Sequence, residues 1–455
     1  MTAGEQVRLA LALAFPSVVS QLVTIVMEYL DTAMVGQLGA AASASIGLVS
    51  TTTWLMGGLC TSLAGGFSVL VAQAIGARDA SRARYIMRVA IGFTLVLSTI
   101  IGLAGVCIAR RLPIWLGGTE EIVHDATVYF FFFAASLPVW EMSFLMSSML
   151  RSAGNTVVPS VVNICVCVLN VLFNYVFIFV FGLGVAGAAL GTLCSIVIGT
   201  TVLMVYVLCF SKDLKVVKGE WHRERGNRSA IVQGYGHVLK HALKIGVPMA
   251  VQQAAISTAQ IMTTLIVAPL GTVAIASHTF GITIEGLCYM PGFGIGDAAT
   301  TLIGQSIGAK REDLKRSFAS ITLLLGMGLM TVMGVFMFIG APYLMPFMTP
   351  DTGVQQLTVE ILRIEAFAEP FYAASIVAYC IFVGAGDTKL PALMNLFSIW
   401  VVRLPAAYML AQMLGLKGVW IAMCGELWFR GLIFLFRLWR RQWFEISKSP
   451  VRIGF

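Results

Sequence analysis

Long apolar stretches separated by short polar ones form the main pattern of hydrophobic and polar positions along the chain. Twelve stretches can be placed, and each reaches the roughly 20 residues that an α-helix needs to cross a bilayer. They are residues 9–36, 43–75, 86–109, 124–150, 157–181, 185–210, 242–268, 272–306, 315–341, 355–384, 390–414 and 418–438. Backbone polar groups in lipid must be satisfied within their own segment, so each stretch is expected to be a helix. The pattern predicts an all-α integral membrane protein with twelve transmembrane helices.

The second half of the chain repeats the first at a constant offset of 232 residues. The matched pairs include Pro16 with Pro248, Gln73 with Gln305, Arg84 with Arg316, Pro138 with Pro370, and Asn163 with Asn395. We infer two homologous six-helix lobes related by a parallel pseudo-two-fold repeat, an architecture typical of transporters. The predicted division is an N-lobe at 1–210, a polar hinge at 211–241 and a C-lobe at 242–455.

The composition agrees with a membrane protein. The chain is 58% hydrophobic and 11% charged, with a mean hydropathy of +0.87, whereas soluble domains carry about 25% charged residues. The formal net charge of +8 is no sign of nucleic-acid binding, because the basic residues lie in loops between the spans. The nine cysteines show no CxxC or Cys/His metal spacing, so we expect free thiols and no structural metal.

The distribution of Lys and Arg predicts the orientation in the membrane, since cytoplasmic loops carry the excess of both. The loop after the second span has Arg78, Arg82 and Arg84, and its repeat after the eighth span is equally basic. On the opposite side, residues 182–185 and 342–358 contain no Lys or Arg, although Arg110 and Arg111 depart from the pattern. We therefore expect both termini and the hinge to be cytoplasmic in an inner or plasma membrane.

Several short motifs follow one another along the chain, and some of them recur in the second half. They are Pro16 and Gln21 followed by Asp31–Gly36, Gln73–Ala77 with its copy Gln305–Ala309, Arg151–Thr156 with Gly384–Thr388, and the glycine-rich turn Gly182–Ala189. As a set, these motifs resemble the multidrug and toxic compound extrusion (MATE) family of secondary transporters over nearly the whole chain. The resemblance implies a V-shaped pair of lobes around a central cavity. It also implies export of organic cations and amphipathic drugs, driven by inward H⁺ or Na⁺.

A candidate cation or proton site lies in the first lobe. Asp31 is a carboxylate inside the first span, where an ionisable group is costly and usually functional. Asn170 and Asn174 are four residues apart on one face of the fifth span, and Thr192 adds a hydroxyl in the sixth. These positions match the cation site of the resembled family, although some members have Asp where this chain has Asn174, which leaves the choice between Na⁺ and H⁺ open. Alternatively, the amides and the hydroxyl only join helix to helix.

The second lobe departs from the first, because the copy of Asp31 is Thr263. Some family members carry an acidic residue in span seven, where this chain has Ala255. Some also carry one early in span ten, at a position that falls near Tyr372 here. Three other acids, Glu285 in span eight with Glu365 and Glu369 in span ten, form a candidate second proton or cation site. The two acids of span ten are expected to share one helix face as an i, i+4 pair. In the alternative interpretation, one glutamate pairs with Arg403 in span eleven.

Other residues are candidates for the lining of the central cavity. Glu141 lies near the middle of span four, and Met and aromatic side chains on cavity-facing spans would accept varied amphipathic guests. By analogy with the family, these side chains are Met27, Met34, Met56, Met262 and Tyr289. Glu426 and Arg430 are expected to form an ordinary intrahelical i, i+4 ion pair.

The main alternative function is a lipid or lipid-linked oligosaccharide flippase of the same superfamily. A flippase would need a basic cavity for pyrophosphate, whereas the mid-membrane charges here are mostly acidic. An enzyme is disfavoured, because the sequence has no His-rich box, G-x-S-x-G or P-loop. A channel suits the asymmetric acidic sites less well than an ion-coupled exchanger. We expect a monomer in the lipid bilayer with a small organic substrate, no nucleic-acid partner and no cofactor beyond the coupling ion.

Overall fold

The structure is a computed structural model that describes residues 1–215 and 228–440. Within these residues the chain consists of long helices joined by short loops. Residues 216–227 of the predicted hinge and residues 441–455 of the predicted C-lobe lie outside the described residues.

The first half folds into six long helices at the six predicted positions. They are α1 (Ala3–Gly36), α2 (Ala40–Gly76), α3 (Ala80–Ile108), α4 (Glu120–Ser152), α5 (Val157–Val180) and α6 (Gly184–Phe210), with a short helix at Leu112–Trp115 before α4. Most extend several residues beyond the apolar stretch that predicted them. The last five residues of α5 and of α6 adopt π-helical geometry.

The second half also follows the predicted pattern, with one difference in the tenth span. Its helices are α7 (Arg228–Val267), α8 (Thr272–Gly308), α9 (Glu312–Met348), α10 (Thr352–Ala366), α11 (Glu369–Gly384), α12 (Lys389–Leu414) and α13 (Leu416–Arg440). The predicted tenth span is two helices, α10 and α11, which meet at an angle of 56°. Among the described residues, ten helices are long and apolar enough to cross a membrane, and the α10–α11 pair is an eleventh span. The 37-residue α8 lies at the position of the predicted eighth span.

The backbone itself shows the internal repeat. Positive φ angles recur at the same offset as the sequence matches, and two of the residues are not glycine. The pairs are Gly39 (113°) with Gly271 (98°), Arg78 (59°) with Lys310 (56°), and Gly154 (86°) with Gly386 (79°). Non-glycine residues adopt such angles rarely, so their recurrence confirms that both halves share one backbone plan.

The chain packs into two compact units. Among the described residues, unit 1 contains 1–22 and 254–440, and unit 2 contains 23–215 and 228–253. These boundaries fall inside α1 and α7, so each of the two helices contributes to both units. The boundaries of the packed units thus fall inside apolar helices, whereas the predicted lobe boundaries fall at the ends of a polar linker. The predicted lobe boundaries at 210 and 242 stay a prediction.

Small residues bring helices close together in both units. On α3 of unit 2, a Cβ added at Gly102 would lie 2.6 Å from the Ala134 carbonyl oxygen on α4. On α8 of unit 1, a Cβ at Gly292 would lie 2.5 Å from the sulfur of Met330 on α9. Such contacts are typical of helix packing in lipid, where van der Waals packing and hydrogen bonds hold helices together.

Candidate functional site

The four polar residues predicted for the first lobe form one hydrogen-bonded chain inside unit 2. The Asn174 Nδ2 group donates to Asp31 Oδ1 at 2.8 Å and to Asn170 Oδ1 at 3.2 Å. Asn170 Nδ2 donates to Thr192 Oγ1 at 3.0 Å, and Thr192 Oγ1 donates to the Ala188 carbonyl oxygen at 3.0 Å. The structure therefore brings together residues of α1, α5 and α6, while their role as ion ligands stays a prediction.

Local sequence explains why these side chains meet. Asn170 and Asn174 are one turn apart on α5, so both side chains point to the same side of the helix. Gly191 on α6 lies opposite, and a Cβ there would be 2.0 Å from Asn174 Oδ1 and 2.8 Å from the Asn174 backbone nitrogen. Only glycine leaves room for the Asn174 amide between α5 and α6.

The two asparagines of the site are buried, whereas Asp31 and Thr192 are half-buried. Asn170 and Asn174 are each 1% exposed. The buried Oδ1 of Asn174 has no hydrogen-bond partner in the described part of the chain. Next to the polar chain lies an apolar cluster that includes Val35, Ile178 and Ala188. This arrangement offers a carboxylate and an unshared amide oxygen where few other polar groups compete, which suits a proton or a small hard cation.

Glu141 forms a separate buried carboxylate in unit 2. Its side chain is 3% exposed, and it accepts a hydrogen bond from Thr61 Oγ1 at 3.2 Å. It is not part of the Asp31 chain of hydrogen bonds. Thr61 on α2 was not a candidate from the sequence, because a lone threonine in an apolar span gives no distinguishing signal.

The predicted cavity-lining residues lie in varied surroundings. Met34 and Met56 pack against two apolar clusters of unit 2, and Met27 is half-buried. In unit 1, Met262 is 40% exposed, and the Tyr289 ring lies 5.5 Å from the Tyr372 ring. That these five side chains line a substrate cavity stays a prediction.

The three glutamates predicted for the second lobe are all buried in unit 1. Glu285 is 7% exposed, Glu365 0% and Glu369 1%. Neither carboxylate oxygen of Glu365 or of Glu369 has a hydrogen-bond partner within the described residues. Buried polar groups in native proteins are nearly always paired, so four unpaired oxygens in one place mark an unusual site.

The prediction that Glu365 and Glu369 share one face of a continuous helix is wrong. Glu365 lies in the last turn of α10, and Glu369 is the first residue of α11. Pro370 has no N–H, so the Ala366 carbonyl loses its usual partner four residues later. The N–H of Phe371 turns to the Ala368 carbonyl at 3.0 Å. The chain bends between the two acids, and each projects from its own helix.

The alternative pairing of a span-ten glutamate with Arg403 is also wrong. The Arg403 Nη2 atom lies 2.6 Å from Oε2 of Glu426 on α13. Arg430 Nε lies 3.1 Å from Oε1 of the same carboxylate, which confirms the predicted i, i+4 pair, and the Ser398 hydroxyl donates to Glu426 as well. Glu426 is therefore the centre of a buried cluster with two arginines. Arg403 and Ser398 reach it from the π-helical segment Ser398–Arg403 in α12, and no pattern along the chain indicated this contact.

Comparison with known proteins agrees with the fold and the repeat. The MatE family model matches residues 16–176 and again residues 248–409. The chain is 27% identical over 444 residues to the probable multidrug resistance protein NorM of Thermotoga maritima, covering 94% of this chain and 92% of that protein. It is 26% identical over 441 residues to the uncharacterized transporter YisQ of Bacillus subtilis, covering 95% and 94%.

Solved structures of similar fold include two membrane transporters. The MATE transporter VcmN of Vibrio cholerae in its bent form superposes with a TM-score of 0.86 at 20% identity, over 98% of both chains. A MOP superfamily transporter from Pyrococcus furiosus gives 0.89 at 20% identity, over 98% of this chain and 97% of that one. At this identity, the likeness establishes the shared fold.

The matched regions lie one in each repeat and together cover most of the chain. The fold is that of an all-α integral membrane protein with twelve transmembrane helices in two homologous lobes. The protein is a multi-pass transporter and not an enzyme. The chain belongs to the MatE family, the multidrug and toxic compound extrusion transporters.

Proposed function

We propose that the protein is a secondary active antiporter that exports organic cations and amphipathic drugs in exchange for inward H⁺ or Na⁺. The observation that carries the proposal is the hydrogen-bonded chain from Asp31 through the buried Asn174 and Asn170 to Thr192. A carboxylate inside a membrane helix is energetically costly, and the residues that are kept there usually have a function. The name of NorM from Thermotoga maritima, a probable multidrug resistance protein, supports the substrate class.

The chemistry of the site follows from its hydrogen bonds. The Asn174 amide donates to Asp31 Oδ1 and so fixes the position of the carboxylate beside α5. An entering cation would take lone pairs of Asp31 and the unpaired Oδ1 of Asn174, and a proton would occupy the carboxylate alone. Exchange requires that ion and substrate favour different conformations, since a ligand shifts an equilibrium only by its difference in affinity for the two states.

The proposal includes the membrane and the orientation. Basic residues in the loop after α2 and in its repeat after α8 support cytoplasmic termini in an inner or plasma membrane. We propose that the transporter acts as a monomer without a cofactor other than its coupling ion. The hinge at 211–241 would connect the two lobes on the cytoplasmic side.

The test is transport in proteoliposomes. Purified protein is reconstituted with ethidium as the fluorescent cation, and H⁺ and Na⁺ gradients are imposed separately. Asp31→Asn is compared with the wild type, and Glu28→Gln is the matched control, because Glu28 is an exposed carboxylate one turn earlier on the same helix. We expect one of the two gradients to drive ethidium movement in the wild type and in Glu28→Gln but not in Asp31→Asn.

The outcomes separate the two candidate functions. Ethidium movement in response to one gradient, lost in Asp31→Asn, identifies an antiporter and its ion. If neither gradient moves ethidium and all three proteins behave alike, the antiport mechanism is wrong. The flippase alternative is then tested by scrambling of a fluorescent lipid in the same vesicles.

A further inference from the structure

The bend between α10 and α11 holds two carboxyl groups that accept no hydrogen bond from any group in the described part of the chain. Glu365 and Glu369 are 0% and 1% exposed, and all four of their carboxyl oxygens are without a hydrogen-bond partner. The bend is closely packed, since a Cβ at Gly334 on α9 would lie 3.0 Å from the Ala366 carbonyl and 3.1 Å from Glu369. The close packing therefore holds both side chains in place, although no hydrogen-bond donor among the described residues contacts their carboxyl oxygens.

Ionisable groups from four helices face the bend. Glu285, Cys288 and Tyr289 lie on α8, Tyr372 on α11, Arg403 on α12, and Cys424, Glu426 and Arg430 on α13. The Cys288 thiol contacts Met333 and Met337 on α9, and that side of the bend is apolar. Within this group the charge of Glu365 is repelled by those of Glu285 and Glu369. Arg403 offsets part of that repulsion.

The charges of this group do not balance. It contains four carboxyl groups and two guanidinium groups, and both guanidinium groups contact Glu426. Within the described residues neither Glu365 nor Glu369 has a hydrogen-bond or ion-pair partner. Arg403 acts on Glu365 only at longer range, because its direct partner is Glu426. A buried carboxylate without a partner is costly. A proton on one carboxyl group removes a charge and also supplies an O–H donor that these oxygens lack.

We propose that Glu365 and Glu369 form a second proton-binding site, separate from the Asp31 chain, and that it gives up a proton to water during each transport cycle. In that step one carboxyl O–H bond breaks, the electron pair stays on the carboxylate, and water accepts the proton as hydronium. A proton from the opposite side restores the carboxyl group. The site does not use the positions suggested by the family resemblance, which here hold Ala255 and Tyr372. The release of this proton during transport rests on the proposed antiport function. The binding of a proton by Glu365 and Glu369 does not depend on that function.

Infrared difference spectroscopy tests the site without any transport. The full chain in lipid is compared between acid and alkaline solution, and the C=O stretch of protonated carboxyl groups is measured in H₂O and D₂O. The variants are Glu365→Gln, Glu369→Gln and the double substitution. The control is Glu360→Gln, an exposed acid on α10 that pairs with Lys417 at 2.7 Å. We expect part of the band to be lost in the double variant and none of it in the control.

Each outcome decides the matter. A double variant that keeps the full band overturns the proposal. So does a band that Na⁺ removes at constant pH, where choline does not, because the site would then bind a metal cation. If the double variant fails to fold by circular dichroism, the single variants carry the test, and each must lose intensity. Asp31→Asn should abolish ion-driven ethidium transport and keep the Glu365 and Glu369 band, so failure of the antiport and failure of this site give different results.

Discussion

Gly191 shows how a residue without a side chain places one that has a function. Its α-carbon faces the Asn174 amide across the α5–α6 contact, and the space between them is too small for a methyl group. The obstacle is partly backbone, which cannot rotate away as a flexible side chain does. The position of the Asn174 amide beside Asp31 therefore depends on Gly191, which has no side chain.

Gly191→Ala is expected to displace α6 from α5 and to break the Asn174–Asp31 hydrogen bond. Overpacking of this kind costs about 1–3 kcal/mol, so the thermal unfolding temperature of the purified protein should fall. Ion-driven ethidium transport should also be lost. Gly92→Ala is the matched control, since its added Cβ would meet nothing within 4 Å. Wild-type stability and transport in Gly191→Ala would show that the site does not depend on this contact.

At the scale of residues, the sequence predicted those candidate site residues whose charge is costly to bury in lipid. Asp31, Glu285, Glu365 and Glu369 are conspicuous because charged residues are rare in apolar spans. Their partners were harder to find, because Ser398 and Thr61 are common residues in membrane helices. Arg403 was assigned to the wrong acid, since residue depth along separate helices does not determine which carboxylate lies beside it.

The bend of the tenth span shows what determines an element beyond its apolar length. Pro370 is the repeat partner of Pro138, yet Pro138 lies inside the unbroken helix α4. A proline therefore does not break the span by itself. At the bend, Trp428 Nε1 donates to the Phe367 carbonyl at 3.0 Å, and its ring stacks on Phe371 with centroids 4.2 Å apart. Trp428 thus satisfies a carbonyl that the helix has released.

Trp428→Phe is expected to weaken the bend while it keeps an aromatic ring for stacking on Phe371. The Phe367 carbonyl would lose its donor, which costs about 1–3 kcal/mol where water is absent. Amide hydrogen exchange, measured by mass spectrometry on the peptide 363–374, should become faster. Trp400→Phe is the control, because the Trp400 indole donates to the Ala255 carbonyl within a regular helix. Equal exchange in both variants would mean that other contacts hold the bend.

At the scale of elements, apolar length predicted the position and number of spans, because the bilayer imposes both. It could not predict the α10–α11 bend or the π-helical segment of α12. These departures depend on partners that are distant in sequence, such as Trp428 on α13. The repeat gave a misleading indication here, since Pro138 and Pro370 occupy equivalent positions in different local structures.

The whole molecule combines a duplicated backbone with two different sets of polar residues. The copy of Asp31 is Thr263, which donates only to the Ala259 carbonyl of its own helix at 3.0 Å. The copies of Asn170, Asn174 and Thr192 are Val402, Ala406 and Cys424. Unit 1 instead buries the acids at the α10–α11 bend. The offset of 232 residues predicted the duplication, whereas the division of α1 and α7 between two units depends on packing, which no pattern along the chain describes.

The orientation that we propose for the whole chain rests on loop charge and can be measured directly. Ser81 lies beside Arg78, Arg82 and Arg84, whereas Thr352 lies in the stretch 342–358, which has no Lys or Arg. Seven of the twelve spans separate the two positions, so they must face opposite sides of the membrane.

A membrane-impermeant maleimide should label Thr352→Cys in intact cells and should label Ser81→Cys only after the cells are permeabilised. Cytoplasmic loops retain Lys and Arg because these are held back during insertion, which puts Ser81 inside and Thr352 outside. The background replaces the exposed Cys107, Cys165 and Cys209 with serine to remove competing thiols. Each variant is the control for the other, since both are exposed single cysteines in one protein. Reversed labelling would place the termini outside, and the proposed inward path of the coupling ion would then run in the opposite direction through the same residues.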